Sequence, residues 1–521
     1  MSNAKDERFS AAWHENVHRG HPRLLFAAVP LAILALAAGY VYWRQFTTGM
    51  GLTGLNRPTY WGLYIVNCVF FVGVSAGGIF IASLVHAFGL KHFQSVARIA
   101  ELMAISCVIM AVISLFVNLC WPQRMHYILL YANKTSPIFW DMMNVTIYFF
   151  ISLIYGYFGT RSDLARLIKI KPKGAWLFRV LALGYTDLSA EAQKRDHAIL
   201  KVLAVMGLIG ALGMHSVTAW ILGLTKARPG WFNAIMAPLF IVSAAVSGLA
   251  LLIISVVATR RLLRLRIEDA VIRRLGQILL FLVPVLCYFL FAEMLTVFYG
   301  KEPAEMQVFK TMMHGPYAFL FWGHLLLGLI FPMLLLGVVL ARVAWQWTAV
   351  VGFALLPVVA GVVIVFGFTL PFTEVGGVPV PRWVGYAALW LIGLVLLLLC
   401  ANERLAEDTR LGIAAGLVLL GIFAERWNIV LPSLVGYSVL PLSQVHYAPS
   451  WMEVLLIAGI YSVGGLIYIA CVHVLPLVES EEEGEVEPVS KAPERWGEES
   501  SRWGIQVPPV RRGRWNVWPR W

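Results

Sequence analysis

The stretch "SPIFWDMMNVTIYFFISLIYGYF" (136–158) reads as one membrane-spanning helix carrying a single charge. Ser136 suits a helix N-cap, and Pro137 suits the first helical position, whose N–H needs no partner. Asp141 then lies about one turn inside the helix, at roughly 1.5 Å per residue. A carboxylate at the centre of a spanning helix costs about 3 kcal/mol on insertion scales. The purpose of Asp141 is therefore the question the sequence poses. The stretch also sets the fold, because similar apolar runs recur from residue 24 to residue 475 of the 521-residue chain. The chain is 59% hydrophobic and only 13% charged, against roughly 25% charged in soluble chains. Runs near 20 apolar residues cross a bilayer as helices. We expect an all-α polytopic membrane protein of about twelve spans: 24–43, 61–88, 96–119, 137–159, 196–224, 231–258, 274–298, 317–341, 345–366, 383–400, 410–428 and 451–475.

The first 23 residues are polar and lack the compact apolar stretch and cleavage site of a signal peptide, so the N-terminus is expected to be retained. With it on the cytoplasmic side, 31 of the 41 Lys and Arg residues fall inside and 10 outside. Basic loops stay in the cytoplasm, so both termini are expected there. The net charge of +12 reports this retention rather than nucleic-acid binding. The basic segment "RSDLARLIKIKPKGAWLFRVLALGY" (161–185) is expected to lie at the interface on anionic lipid. The tail after residue 477 turns acidic, then basic and Trp-rich, in the manner of a disordered extension. Cys68, Cys107, Cys120, Cys287, Cys400 and Cys471 are scattered without a C-x-x-C pair. They give no recognisable ligand set for an iron–sulfur cluster or zinc.

The spans also assign depths. Asn67, Asp141, His215, Glu293, His324 and the pair Glu425–Arg426 fall in the outer halves of six spans, and Asn144 shares the face of Asp141 at i+3. On the inner side stand mainly His86 and Glu101. Each residue alone has an ordinary explanation: a dipole-favoured carboxylate at a helix start, an interfacial ion pair, or histidines bonding across helices. Their clustering is harder to dismiss, since intramembrane ionisable groups mark sites and proton paths. Trp140 and other aromatics at this depth form an interfacial belt or the walls of a pocket.

Three segments, "WGLYIVNCVFFVGVSAGG" (61–78), "SPIFWDMMNVTIYF" (136–149) and "ERWNIVLPS" followed by "YAPSWMEVLLIAGIYSVGGLIY" (425–433 and 447–468), together resemble the NrfD/polysulfide-reductase family of membrane subunits, which includes those of alternative complex III. The resemblance implies two four-helix bundles within a core over 24–341, after an N-terminal segment 1–23. It leaves 342–408 as an inserted helix pair, 409–477 as the last family helices and 478–521 as a cytoplasmic tail. Many members carry an acidic D-x-G-x-P turn after the third span, where this chain has "NLCWP" (118–122).

The resemblance implies a quinone or menaquinone as bound substrate near the outer face, and neither haem nor iron–sulfur cluster in the subunit itself. It implies partners on that face: a ferredoxin-like 4Fe-4S subunit, joined to a molybdopterin-type or multihaem cytochrome subunit. The setting would be the cytoplasmic membrane of a bacterium or archaeon. Such a chain is a subunit of an oxidoreductase rather than an enzyme alone, and some members are thought to move protons. Asp141 matches the family's S-P-x-x-W-D carboxylate. Quinol oxidation releases two electrons and two protons, and a carboxylate or neutral imidazole serves as general base. Asp141, His215, Glu293 and His324 are thus the candidates for proton transfer. Asn67, Trp140, Asp141, Asn144, Glu425 and Arg426 are the candidates for holding the quinone. No metal ligands are assigned. Two other classes fit parts of the pattern: a secondary transporter with buried ionisable groups, and a b-haem anchor ligated by His215 and His324.

Overall fold

The structure is a computed structural model that describes residues 26–341 (without 57, 58, 171–174, 264 and 266), 374, 375, 378, 379, 405–437 and 447–475. Among these residues ten helices are long and apolar enough to cross a membrane. They are α1 (Phe26–Thr48), α2 (Leu63–His86), α3 (Gln94–Val117), α4 (Pro137–Ile170), α5 (Ala190–Gly223), α6 (Met236–Leu263), α7 (Asp269–Gly300), α8 (Ala318–Leu340), α9 (Glu407–Val430) and α10 (Trp451–Val474). The chain is an all-helical, multi-pass membrane protein, and each of the ten helices overlaps an expected span. The spans expected at 345–366 and 383–400 lie outside the described residues, as does most of the expected inserted pair. Of its residues the structure describes a short antiparallel pairing of Glu374–Val375 with Val378–Pro379 and, at its end, 405–408, where α9 begins.

Helices α2 to α5 pack on one another, α6 to α9 form a second group, and α2 against α6 joins the two. Within the most apolar stretch of α2, 83% of residues are buried in the protein, against 11% in α1. Thus α2 is the central post, whereas α1 faces outward and touches α10 through Ala38 and Gly459. The central position of α2 depends on its small residues. A Cβ on Gly77 or on Gly248 of α6 would run into the backbone of the other glycine, so this crossing is closed to larger side chains. Gly328 of α8 and Gly421 of α9 make the same kind of contact. It falls where α8 winds into a π-helical turn, His324–Ile330.

Helix starts follow local chemistry. Pro137 opens α4, and the Ser136 carbonyl accepts from Trp140 N at 3.2 Å. The Ser189 hydroxyl caps α5, and Ser450 with Glu453 forms a capping box at α10. Glu453 is fully buried and also accepts from Gly54 N at 2.7 Å and the Tyr447 hydroxyl at 2.8 Å. It therefore ties the loop before α2 to the start of α10.

The structure corrects the expectation of an interfacial segment beginning at residue 161. Residues 161–170 instead continue α4, which runs for 34 residues. That is about 51 Å, well beyond a hydrocarbon core of about 30 Å. Ion pairs hold the extension. Arg98 of α3 meets Asp163 at 2.6 Å, and Arg161 pairs with Asp196 of α5 through two guanidinium nitrogens. Leu164, Ala165, Leu167 and Ile168 are buried beneath them. Among the described residues of that segment, the short helix Trp176–Leu181 fits the interfacial description, with Trp176, Leu177, Val180 and Leu181 exposed.

Candidate functional site

Four spans, α2 to α5, meet near the end of the bundle that carries Ser136. They enclose a cavity of about 230 Å³, closed further by Trp61, the α3–α4 connection and Val430. Its walls are mainly apolar: Ile65, Val69 and Val72 from α2, Val112 and Leu115 from α3, and Ile138, Met142 and Val145 from α4. Asp141 is the one carboxylate among the lining residues. Its Oδ1 accepts a hydrogen bond of 2.5 Å from the hydroxyl of Thr218 on α5. The remaining polar lining comes from Asn118 at the end of α3, Cys68 and the indole of Trp61. Trp61 stacks on Trp231 with ring centroids 5.5 Å apart, and the Trp231 indole N–H donates to Ile429 O at 2.8 Å. This wall is therefore rigid. A flat ring would find an apolar slot with a carboxylate at one wall. A larger, open depression of about 450 Å³, at Phe93, Arg274, Gln277, Ile278 and Phe281, lies toward the other end of the spans and includes none of the candidate residues.

The other candidates divide. Trp140 is 36% exposed, and its indole N–H donates to Lys134 O at 2.7 Å. Asn144 donates to Trp140 O at 2.9 Å. Asn67 is fully buried and donates to the Ser114 hydroxyl at 2.9 Å. None of the three lines the cavity.

A second constellation brings together His215, Glu293, His324, Glu425 and Arg426. The Ser243 hydroxyl donates to Glu425 Oε2 at 2.5 Å and accepts from Arg426 Nη2 at 2.8 Å. The Arg426 guanidinium covers the Phe240 ring at 4.4 Å and stands 3.9 Å from Glu425 Oε1. His324 lies within electrostatic reach of both Glu425 and Arg426, and His215 within reach of Arg426. Glu293 lies beside the Asn233 side chain and within electrostatic reach of Glu425. His215, His324, Glu425 and Arg426 are each at most 3% exposed, and none lines the cavity. His215 shares a bond through Nδ1 with Ala211 O at 2.8 Å. Its Nε2, His324 Nε2, Glu425 Oε1 and Arg426 Nε have no hydrogen-bond partner among the described residues. The sequence-predicted set thus divides: Asp141 in an open slot, His215, His324, Glu425 and Arg426 in a buried ionic cluster with partly exposed Glu293 at its edge, and Asn67, Trp140 and Asn144 in neither.

Sequence reasoning missed Thr218 and Ser243, which bind the two key carboxylates. Thr218 follows His215 by three residues and so shares its face. Ser243 carries no comparable signal. Toward the opposite end, His86 and Glu101 are paired at 3.0 Å. Among the described residues no three His, Cys, Asp or Glu side chains gather as a metal-binding group.

Fold and slot together define a polytopic helical membrane protein with a carboxylate-bearing apolar cavity near one membrane face. The sequence profile of the NrfD polysulphide reductase family matches residues 51–371, and the chain belongs to that family. Among similar proteins, a chain of Halobacterium salinarum provisionally named as a dimethyl sulfoxide reductase membrane subunit is 28% identical over 85% of this chain and 89% of its own length. A selenate reductase subunit of Mesobacillus selenatarsenatis is 26% identical over 64% and 79%. An Hdr-like menaquinol oxidoreductase integral membrane subunit of Archaeoglobus fulgidus is 23% identical over 87% and 93%.

Proposed function

We propose that this chain is the quinone-binding membrane subunit of a respiratory oxidoreductase, exchanging electrons between membrane menaquinol and a partner iron–sulfur subunit. The observation that carries the reading is the Asp141–Thr218 pair in an apolar slot of about 230 Å³. Membership of the family and the names of the three relatives support it. In quinol oxidation Asp141 accepts one hydroxyl proton, while Thr218 holds the carboxylate toward the ring; the second proton leaves to water at the mouth of the slot, and the two electrons pass to the partner iron–sulfur subunit. The apolar walls take the ring faces and exclude water. A photoreactive azidonaphthoquinone tests the site. It is expected to label peptides from α2 and α4, including the neighbourhood of Cys68 and Met142, and excess menaquinone analogue should prevent the labelling. Protectable labelling confined to other helices would overturn the reading.

The slot opens near the end that the Lys/Arg distribution assigns to the outside. Reporter fusions after residues 180 and 270 are expected to report cytoplasm, and one near residue 50 the outside. The reverse pattern would invert the orientation of the site. Partner subunits are placed on the same outer face, where electrons leave the slot over the shortest path. Crosslinks from the iron–sulfur subunit should fall in 44–60, 120–136, 299–316 and 429–450. Crosslinks found only in 161–201 and 260–274 would reject this docking face.

A further inference from the structure

The slot holds a polar group to which neither the family resemblance nor the proposed reaction assigns a role. Asn118 follows the last residue of α3, and its backbone N–H is fixed by Ser114 O at 3.3 Å and Leu115 O at 3.1 Å. The residue lines the same cavity as Asp141. Its Oδ1 is buried and accepts no hydrogen bond among the described residues. Asp141 and Thr218, by contrast, are bonded to one another. A buried amide oxygen without a partner is a cost unless something supplies a donor. Asn118 itself borders a cavity large enough to admit a ring, and a turn of its side chain would bring the amide to that cavity.

We propose that Asn118 is a substrate-contacting residue that holds the ring oxygen remote from Asp141, in both redox states of a para-dioxygenated ring. The inference rests on the slot being the quinone site. An amide suits the task because it has both an acceptor and a donor. Its Oδ1 accepts from a quinol hydroxyl; that hydroxyl's proton leaves to water at the mouth of the slot as the electrons pass to the partner, and Nδ2 donates to the carbonyl that remains. A carboxylate at this position would accept only. It would also place a second negative charge in the cavity that contains Asp141, raising the cost of ionising either group. The "NLCWP" turn therefore gives an asymmetric slot, with one basic partner and one neutral partner for the two oxygens of the ring.

The test uses the assembled complex, a water-soluble naphthoquinol for turnover and its oxidised form for equilibrium binding. Asn118→Leu keeps the volume and removes both hydrogen-bonding functions. It is expected to raise KM for the quinol about fivefold and to weaken binding of the oxidised form by a similar factor, the loss typical of one hydrogen bond. The value of kcat should stay within about twofold of wild type on the same ground. Asn118→Asp retains an acceptor and loses the donor. Measured at a pH that ionises both carboxyls, it should raise the quinol KM less than it weakens binding of the oxidised form, which should fall about fivefold. A structural role would move both redox forms together, so equal effects in Asn118→Asp overturn the proposal. Wild-type values for both forms in both variants overturn it as well. If Asn118→Leu fails to assemble, the redox selectivity of Asn118→Asp decides alone. Failure of the underlying reading shows separately: wild-type complex would then give no protectable azidoquinone labelling of the slot.

Discussion

Asp141→Asn is expected to lower quinol oxidation at least about tenfold, or roughly 1.4 kcal/mol of barrier, in a complex that still assembles. The substitution keeps the shape of the side chain. The amide can still bond to the Thr218 hydroxyl, which donates to Asp141 Oδ1 at 2.5 Å in the wild type. What disappears is the base. No other carboxylate lines the cavity, and the imidazoles of His215 and His324 lie in the buried cluster, so nothing in the slot substitutes for it. Turnover with a naphthoquinol, measured beside subunit stoichiometry in the purified complex, reads both halves of the expectation. Full turnover in an assembled Asp141→Asn complex would reduce Asp141 to a helix-start carboxylate. The chemistry would then have to be sought at Glu293 and the two histidines.

The second large effect concerns stability. Glu425→Leu leaves Arg426, 1% exposed, without its anion. Removing one partner of a buried pair costs about 3–5 kcal/mol, a large share of a typical folding free energy of about 5–15 kcal/mol. Thermal unfolding in detergent should therefore show a clear loss, and less protein should accumulate in the membrane. Adding Arg426→Met is expected to recover most of it, because apolar replacement of a whole buried pair is often neutral or better. An unchanged unfolding temperature in Glu425→Leu would show that the Ser243 hydroxyl, which accepts from Arg426 at 2.8 Å, holds the guanidinium without help. Recovery of stability without recovery of turnover would give the cluster a role beyond packing.

The sequence was informative about depth and nearly silent about azimuth. Hydropathy marks each crossing, so the ends of α2, α3 and α8 fall within a few residues of expectation. Depth along a helix follows from counting, and counting alone groups Asp141, His215 and Glu425. Which way a side chain points around the helix depends on packing. Trp140 and Asp141 are adjacent in sequence, yet one bonds back to Lys134 O and the other faces the slot. His215 and Thr218 share a helix face, yet only Thr218 reaches the cavity. The overshoot of α4 was hidden for a different reason. Hydropathy falls at Arg161 and Asp163, and a charge looks solvated until its partner is known. Here the partners, Asp196 and Arg98, come from other helices.

Helices α4 and α5 are cross-tied twice, by Asp141–Thr218 near one end and Arg161–Asp196 near the other. Twenty residues separate the ties on α4 and 22 on α5, or about 30 and 33 Å of helix. A one-residue insertion between the ties on α4 alone would turn one of them by about 100° and could not satisfy both. In lineages descended from this architecture, the lengths of these two helices are therefore bound to one another. Insertions and deletions should be absent between the ties, or arrive in compensating pairs, even where the residues themselves drift freely.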